Sequence, residues 1–293
     1  MLFAGCLEQC FTRRSGLKAT LAVLLARSPR AYESAARPSR IADLVRHIPP
    51  RPPGALTGSQ FAASVAGLDR RQREFAIYEQ LAAGNLPDFC RTLVPVKLAS
   101  RTSVTIFVMP EYLAIGPDTD YLRIPMALCT AAAVAHRFRF LLPTPKMVDA
   151  IYDQSARRFL PQPLPPGPQM TSTGYYERHN SLIDWQSEIR HFPPDVLVAG
   201  HKKDVVITNR LISHPGRIAI YGWHRGPGMP IQPLSTVHGA GYADYSHGIR
   251  LVARYALVQD KLQPLPDLLR DSRFATALSG EGPIKISAVL PAV

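Results

Sequence analysis

Apolar residues recur at helical spacing in several parts of the 293-residue chain. After Leu68, the positions Phe75, Ile77 and Leu81 form one apolar stripe, and Asp69 is placed to cap the helix that carries it. The same kind of periodicity, with capping residues or breakers at the ends, predicts further helices. One predicted helix starts near Gln60. The others cover Leu68–Ala83, Ala127–Phe138, Lys146–Phe159, Gly174–Arg190 and Pro264–Leu278.

Short runs rich in β-branched residues lie between these helices and are bounded by Gly, Pro or Asn. They predict strands at 92–98, 103–109, Tyr112–Ile115, Tyr121–Ile124, Val196–Val198, Val205–Thr208, Arg217–Tyr221 and Ile249–Leu257. Helices mixed with short strands favour an α+β fold, with a mixed or mainly antiparallel sheet and helices packed on it.

Proline marks the predicted domain boundaries, since the chain holds 28 prolines where average usage gives roughly 15. Residues 37–56 are rich in Pro and predict a linker or an extended arm, and residues 57–293 predict a single α+β domain. The segment 161–168, Pro-Gln-Pro-Leu-Pro-Pro-Gly-Pro, is either a surface loop of that domain or a division within it.

The formal net charge of +12 raises the question of a nucleic-acid partner. Residues 1–40 contain seven basic and two acidic residues, so +5 of this charge is local. No block of Lys and Arg interleaved with aromatic residues and no zinc-finger spacing occurs in the sequence. Nucleic-acid binding is therefore disfavoured, and an anionic polymer of the cell envelope is an equally natural partner.

The N-terminus has the order of an export signal. Thr12-Arg13-Arg14-Ser15-Gly16-Leu17-Lys18 precedes the apolar run 19–26, and small residues follow at 34–36. This arrangement resembles a twin-arginine signal, which implies that residues 1–36 direct export to the periplasm or the exterior. No apolar run reaches 18 residues, so no transmembrane segment is expected in the mature chain.

Five of the nine histidines fall between positions 201 and 247, among Gly, Lys, Asp, Ser and Tyr. An imidazole titrates near neutral pH, so His238 and His247 are candidate acid–base residues, with Asp244 to orient them. Ser246 is a candidate nucleophile in the same segment, as are Ser235 and the distant Cys90. The neighbouring residues predicted to line a substrate site are His201, Lys203, Trp223, His224, Tyr242, Tyr245 and Arg250.

The same groups allow two other chemistries. His201, His224, His238 and His247 could supply ligands to a divalent metal such as zinc. Alternatively, Trp223, Tyr242 and Tyr245 could stack on a sugar ring while basic residues such as Arg250 hold an anion. The first of these alternatives predicts a metal-dependent hydrolase and the second a binding module.

One short motif resembles an enzyme family. Ser246-His247-Gly248-Ile249-Arg250, preceded by His238-Gly239, resembles the Ser-His-Gly-Cys-Ile-Arg signature of L,D-transpeptidases, which cross-link peptidoglycan. The resemblance covers about fifteen residues and implies an envelope substrate. The chain has Ile249 where that family has its nucleophilic Cys, so the family's acyl transfer through a thiolate is not expected.

Taken together, these patterns predict an exported hydrolase that acts on an extracytoplasmic ester, amide or glycan through the His/Asp cluster at 201–250. The alternative is a non-catalytic, envelope-associated module that binds a glycan or a peptide.

Overall fold

The computed structural model describes Gly5 and residues 41–98, 103–188 and 196–290. The predicted export signal lies outside these residues, apart from Gly5. Within the described residues the α+β prediction is confirmed: helices pack on a curled sheet whose main pairings are antiparallel.

Local sequence sets the helix starts. Thr57 and Gln60 form a capping box at the first helix, and Asp69 and Gln72 form another at the second. Thr144 caps the fourth helix ahead of Pro145. The helices are α1 (Gly58–Val65), α2 (Arg70–Ala82), α3 (Leu128–Phe138), α4 (Pro145–Gln154), α5 (Thr173–Glu188), α6 (Arg210–Ser213), α7 (Leu265–Arg270), α8 (Ser272–Leu278) and α9 (Ile286–Val289).

Short 3₁₀ helices cover Asp43–Val45, Asp88–Arg91 and Pro168–Thr171. The strands are β1 (Val94–Leu98), β2 (Val104–Val108), β3 (Ala114–Ile115), β4 (Leu122–Arg123), β5 (Phe140–Leu141), β6 (Arg157–Arg158), β7 (Val198–Ala199), β8 (Lys203–Val205), β9 (Ile220–His224), β10 (Pro230–Ser235), β11 (His247–Gly248), β12 (Val252–Ala253), β13 (Tyr255–Val258) and β14 (Lys261–Pro264).

The largest sheet is built around β2, which pairs antiparallel with β1, β12 and β13. It is completed by β5 beside β12 and by β14 beside β13. A second sheet has the order β10-β9-β8-β11, in which β8 and β11 are parallel. This parallel pair positions the candidate site, because it aligns two segments that lie more than forty residues apart in the sequence.

Several element boundaries differ from the sequence prediction, and two of them show the reason. The helix predicted to reach Phe159 ends at Gln154, because Arg157 and Arg158 pair with β7 instead. The single strand predicted for Ile249–Leu257 is two short strands, β12 and β13, with β11 just before them. Long-range pairing, which the local pattern does not contain, decides both cases.

Residues 41–56, the described part of the predicted linker, pack against the domain. Ile48 is buried, and Arg91 donates a hydrogen bond to the carbonyl of Pro49. Gly84, at φ +88°, brings its backbone so close to Pro49 that a side chain there would collide with the Pro49 carbonyl. This stretch is therefore an ordered arm on the fold.

One apolar cluster contains residues from both sides of the proline segment 161–168. It runs from Ile48 and Phe61 to Leu278 and Val289, and it includes Leu164 from the segment itself. No helix among the described residues has the length and apolar character needed to cross a bilayer.

Candidate functional site

The parallel pairing of β8 with β11 places Lys203 beside His247. The register pairs Lys203 with His247 and Asp204 with Gly248, and the Lys203 amide donates to the carbonyl of Ser246 at 2.7 Å. Paired residues of neighbouring strands share a face, so Lys203 and His247 lie on one face and Asp204 lies on the other. Two chemically different environments result on the two sides of one strand pair.

On the first face, Asp244 is held by three hydrogen bonds. The Ser246 amide and the Ser246 hydroxyl both donate to its Oδ1, at 2.8 and 2.5 Å, and the Tyr242 hydroxyl donates to its Oδ2 at 3.1 Å. Burial alone would raise the pKa of Asp244, but the nearby His247, the Ser246 hydroxyl and Lys203 outweigh it, and the pKa is lowered. Asp244 is therefore a carboxylate at neutral pH.

His247 is fully buried, and neither of its ring nitrogens has a hydrogen-bond partner among the described residues. Its Nε2 lies 3.9 Å from Asp244 Oδ2, which is beyond hydrogen-bond reach. Burial lowers the pKa of His247, although Asp244 opposes this, and Lys203 and His238 add to the lowering. The imidazole is thus a neutral base with a carboxylate close enough to stabilise its protonated form.

His238 and Tyr242 stack on each other, with ring centroids 4.2 Å apart and planes 16° apart. Both rings are partly exposed, and both approach His247, at centroid distances of 6.5 and 5.7 Å. Burial also lowers the pKa of His238, and Lys203 and Arg217 contribute to the lowering. We call the group made by Lys203, His238, Tyr242, Asp244, Ser246 and His247 the His247 cluster.

Trp223 forms one wall of this cluster. The Lys203 ammonium lies 4.9 Å from the centroid of the Trp223 ring. Trp223 has φ +58°, in the left-handed region that costs a residue other than glycine of order 1 kcal/mol. Its indole Nε1 is buried and has no hydrogen-bond partner among the described residues.

The other face of the strand pair belongs to a buried ionic network. Glu111 accepts a hydrogen bond from Arg123 Nε at 2.8 Å and contacts His201 Nε2 at 2.9 Å. Arg123 also bonds Asn180 and Asp184, at 3.1 and 2.7 Å. Although burial opposes it, His201 and Arg123 lower the pKa of Glu111, which is therefore a paired carboxylate.

The same network continues to Arg250. The Tyr112 hydroxyl donates to Asp204 at 2.8 Å, and the Arg250 guanidinium lies 4.3 Å from the centroid of the Tyr112 ring. Arg250 donates to the carbonyls of Met109 and Val198, which fixes it as a fold residue rather than the predicted substrate contact. We call Glu111, Tyr112, Arg123, His201, Asp204 and Arg250 the Glu111 network.

Gly248 separates the two environments. A Cβ there would lie 2.6 Å from Tyr112 Cδ1 and 2.7 Å from Lys202 Cβ, so only glycine lets the Tyr112 ring lie against the strand next to His247. The ammonium of Lys202, at the neighbouring position, donates to the Tyr245 carbonyl at 2.6 Å.

The four histidines predicted as metal ligands do not converge. His201 belongs to the Glu111 network, and His224 contacts Asp149 Oδ1 at 3.0 Å and stacks on Tyr152. Only His238 and His247 lie near each other. Among the described residues, no three side chains of His, Cys, Asp or Glu are grouped as a metal ion requires.

The predicted aromatic binding surface is also divided. Trp223 and Tyr245 are buried, and the Tyr245 hydroxyl is held by the backbone of Leu164. One face of Tyr242 is covered by His238. These three rings therefore do not form an open platform for a sugar.

Ser246 and Cys90, two of the three candidate nucleophiles, are occupied or inaccessible. The Ser246 hydroxyl donates to Asp244 and not to an imidazole, so it holds the carboxylate in place. Cys90 is a free thiol, but it is buried, and burial raises its pKa well above the usual range. Ile249, at the position of the transpeptidase Cys, is fully buried.

A cleft of about 800 Å³ opens on the side of the Glu111 network. Its lining includes Glu111, Arg123 and Asp184, which bind one another, and Asp120, which binds Ser59. The polar groups of this cleft are largely used by the fold. We therefore place the candidate chemistry in the His247 cluster, where two ring nitrogens and an ammonium have no described partner.

Sequence reasoning identified every member of the His247 cluster, but it did not find the Glu111 network. Glu111 and Arg123 lie eighty to ninety residues before the histidine segment. Their one local signal is a charged residue next to apolar strands, Glu111 after Val108-Met109-Pro110 and Arg123 within Leu122–Ile124. A buried pair of opposite charges is one explanation of such positions.

No protein-family model, no curated protein and no solved structure matches this chain, so its function is inferred from the geometry and chemistry described above.

Proposed function

We propose that this protein is an exported hydrolase that cleaves an ester or amide bond, with His247 as its general base. The observation that carries the proposal is the environment of His247. It is a buried, neutral imidazole without a hydrogen-bond partner among the described residues, and it lies beside a carboxylate that three donors already fix. A buried imidazole without a partner costs about 1–3 kcal/mol. The ring nitrogens of the buried His179 also lack a hydrogen-bond partner among the described residues, so the neighbouring Asp244 carboxylate is what distinguishes His247.

The chemistry follows from these positions. His247 accepts a proton from a water molecule, and the hydroxide equivalent forms a new C–O bond at the carbonyl carbon of the substrate. Asp244, with Oδ2 at 3.9 Å, stabilises the imidazolium that this step creates. The bond to the leaving alcohol or amine breaks, and His247 returns the proton to it. A fully buried base suits a reactant as small as water.

The site favours an acyl bond over a glycosidic bond. Most enzymes that hydrolyse glycosides use two carboxyl groups flanking the scissile bond. In the His247 cluster Asp244 is the one carboxylate, and three hydrogen bonds hold it. The partners that act on it are imidazole, hydroxyl and ammonium groups, which is the composition of acyl-transfer sites.

The alternative is a non-catalytic module that binds an envelope glycan or peptide. It depends on exposed aromatic faces, and the burial of Trp223 and Tyr245 counts against a sugar-stacking surface. The alternative also gives no role to a buried imidazole without a partner. We therefore rank the hydrolase first.

A panel of chromogenic esters, amides and glycosides tests the proposal with the full chain. We expect hydrolysis of esters or amides, lost about 10²–10⁴-fold in His247→Gln. His214→Ala is the matched control, because His214 is an exposed histidine in a different loop. Activity in both variants, or activity on glycosides alone, would contradict the assignment. Binding to envelope polymers without turnover of any substrate would favour the module.

Export is part of the proposal and rests on the twin-arginine-like segment Thr12–Lys18, which lies outside the described residues. Fractionation of cells that express the full chain tests it. Recovery of the protein from the periplasm or the medium is expected, and Arg13→Lys together with Arg14→Lys should leave it in the cytosol. Cytosolic recovery of the unaltered chain would refute export.

A further inference from the structure

The surroundings of the Lys203 ammonium are unusual for a half-buried lysine. It has no hydrogen bond and no ion pair with any residue that the structure describes, and it lies over the face of Trp223, 4.9 Å from the ring centroid. An ammonium that gives up part of its hydration normally gains a charged or polar partner in exchange. A lysine without such a partner, next to the proposed general base, is suited to bind an anionic group of a ligand.

Asp244, the carboxylate of the His247 cluster, does not form an ion pair with Lys203. It lies beyond 4 Å from the ammonium, and its two oxygens are taken by Tyr242 and Ser246. Lys203 acts on Asp244 and on His247 only through space. A further anion can therefore approach the ammonium without displacing an existing bond.

The surroundings of the cluster are also cationic. Lys202 acts electrostatically on His247, Arg217 acts on His238, and Arg70 acts on Tyr242. Asp244 is the single acid of the His247 cluster. An anion that enters meets an attractive field, and a cation is repelled.

Trp223 adds a second donor at the same place. Its indole Nε1 is buried without a partner, and its backbone is held in the left-handed region. A strained residue persists only where the surrounding structure holds it, and such residues concentrate at ligand sites. Gly222, at φ +107°, precedes it and lets the chain turn there.

We propose that the substrate of the His247 cluster carries a carboxylate near its scissile bond, and that Lys203, seated on the face of Trp223, binds this carboxylate. This inference rests on the proposed function for the identity of the bond that is cleaved, but the recognition of an anion stands on Lys203 and Trp223 alone. In this proposal, Lys203 is the residue that selects acidic acyl substrates.

The chain offers a clean probe of this site, because it contains two tryptophans and Trp185 is 59% exposed. In Trp185→Phe the remaining indole N–H signal in a proton–nitrogen NMR spectrum belongs to Trp223. We would titrate this full-length variant with N-acetylglycine, and in parallel with N-acetylglycinamide, which has the same acyl group but no carboxylate.

A saturable shift of the Trp223 signal is expected with N-acetylglycine, and binding of the amide should be weaker by roughly tenfold or more, as for the loss of one charged hydrogen bond. Lys203→Met keeps the aliphatic stem on Trp223 and should abolish the preference, while Lys203→Arg should retain part of it. Lys261→Met is the control at an exposed lysine.

Equal shifts with both probes, no shift with either, or an unchanged preference in Lys203→Met would each overturn the proposal. The two proposals fail separately. A carboxylate preference that depends on Lys203, in a chain that hydrolyses nothing, leaves carboxylate recognition in place and removes the hydrolase. Hydrolysis that depends on His247 but has no preference for acidic substrates does the reverse.

Discussion

The two faces of the β8–β11 pair use similar residues for opposite purposes. In the Glu111 network both carboxylates and both guanidinium groups have hydrogen-bond partners, although Arg250 Nε and His201 Nδ1 have none among the described residues. The network joins strands to the backbone of distant segments. In the His247 cluster neither ring nitrogen of His247 has such a partner among the described residues, and the Lys203 ammonium lies over the face of Trp223 without a hydrogen bond or ion pair there. Paired buried charges hold a fold together, whereas a polar group without a partner costs stability and is retained where it acts on something else.

The largest expected effect is on stability, from the Glu111 network. Glu111→Gln leaves Arg123 and His201 buried without their shared carboxylate, and we expect the free energy of unfolding to fall by about 3–5 kcal/mol. Urea denaturation followed by circular dichroism measures this.

Asp271→Asn is the matched control, because its partner is the exposed Arg273 and the unfolding midpoint should stay near that of the parent. A Glu111 variant as stable as this control would mean that the network does not hold the fold, and the comparison of the two faces would lose its basis.

The next largest effect on stability is expected at Gly248, which lies between the two faces of the β8–β11 pair. Gly248→Ala places a methyl group within 2.7 Å of Tyr112 and Lys202, so we expect a loss of about 1–3 kcal/mol from overpacking. Gly239→Ala, where the added carbon meets nothing within 4 Å, is the matched control in the same thermal melts. Equal melting temperatures for the two variants would show that Tyr112 can move away from the strand at no cost.

The sequence carried enough information for the elements but not for this division between faces. Asp69 marks the start of α2, and the apolar runs mark β1 and β2, because these signals are local. Whether His247 or Gly248 lies beside Lys203 depends on the parallel register of β8 and β11, because a shift of one residue would move His247 to the other face. Register between segments this far apart is set by the packed fold, so the sequence alone gave a list of histidines without their grouping.

The pH dependence of stability distinguishes buried imidazoles from exposed ones. Burial lowers the pKa of His179, His201 and His247 below the value of 6.5 that holds in the unfolded chain. Below pH 6.5 the unfolded chain therefore binds protons that the folded chain refuses, and the free energy of unfolding falls as the pH drops. The slope is about 1.4 kcal/mol per pH unit for each such imidazole.

Denaturation curves at pH 7, 6 and 5 measure this slope. His179→Phe should reduce the loss of stability between pH 6 and 5 by about the share of one imidazole, and His214→Ala, at an exposed site, should not change it. An acid response that is identical in the parent and in His179→Phe would contradict the burial of a neutral His179.

The smallest effect on stability is expected for His247→Phe, which should also cause the largest loss of activity. His247→Phe replaces an unpartnered buried imidazole with an apolar ring, and Asp244 keeps its three hydrogen bonds to Tyr242 and Ser246. The variant should therefore unfold within about 1 kcal/mol of the parent, or be slightly more stable, because no buried donor or acceptor loses a partner. Hydrolysis should nevertheless be lost, since the base is gone. If His247→Phe instead loses as much stability as Glu111→Gln, His247 has a structural role like that of the Glu111 network, and its assignment as the general base is wrong. A stable and inactive variant would show that His247 is retained for its function, because a residue that lowers stability is retained for what it does.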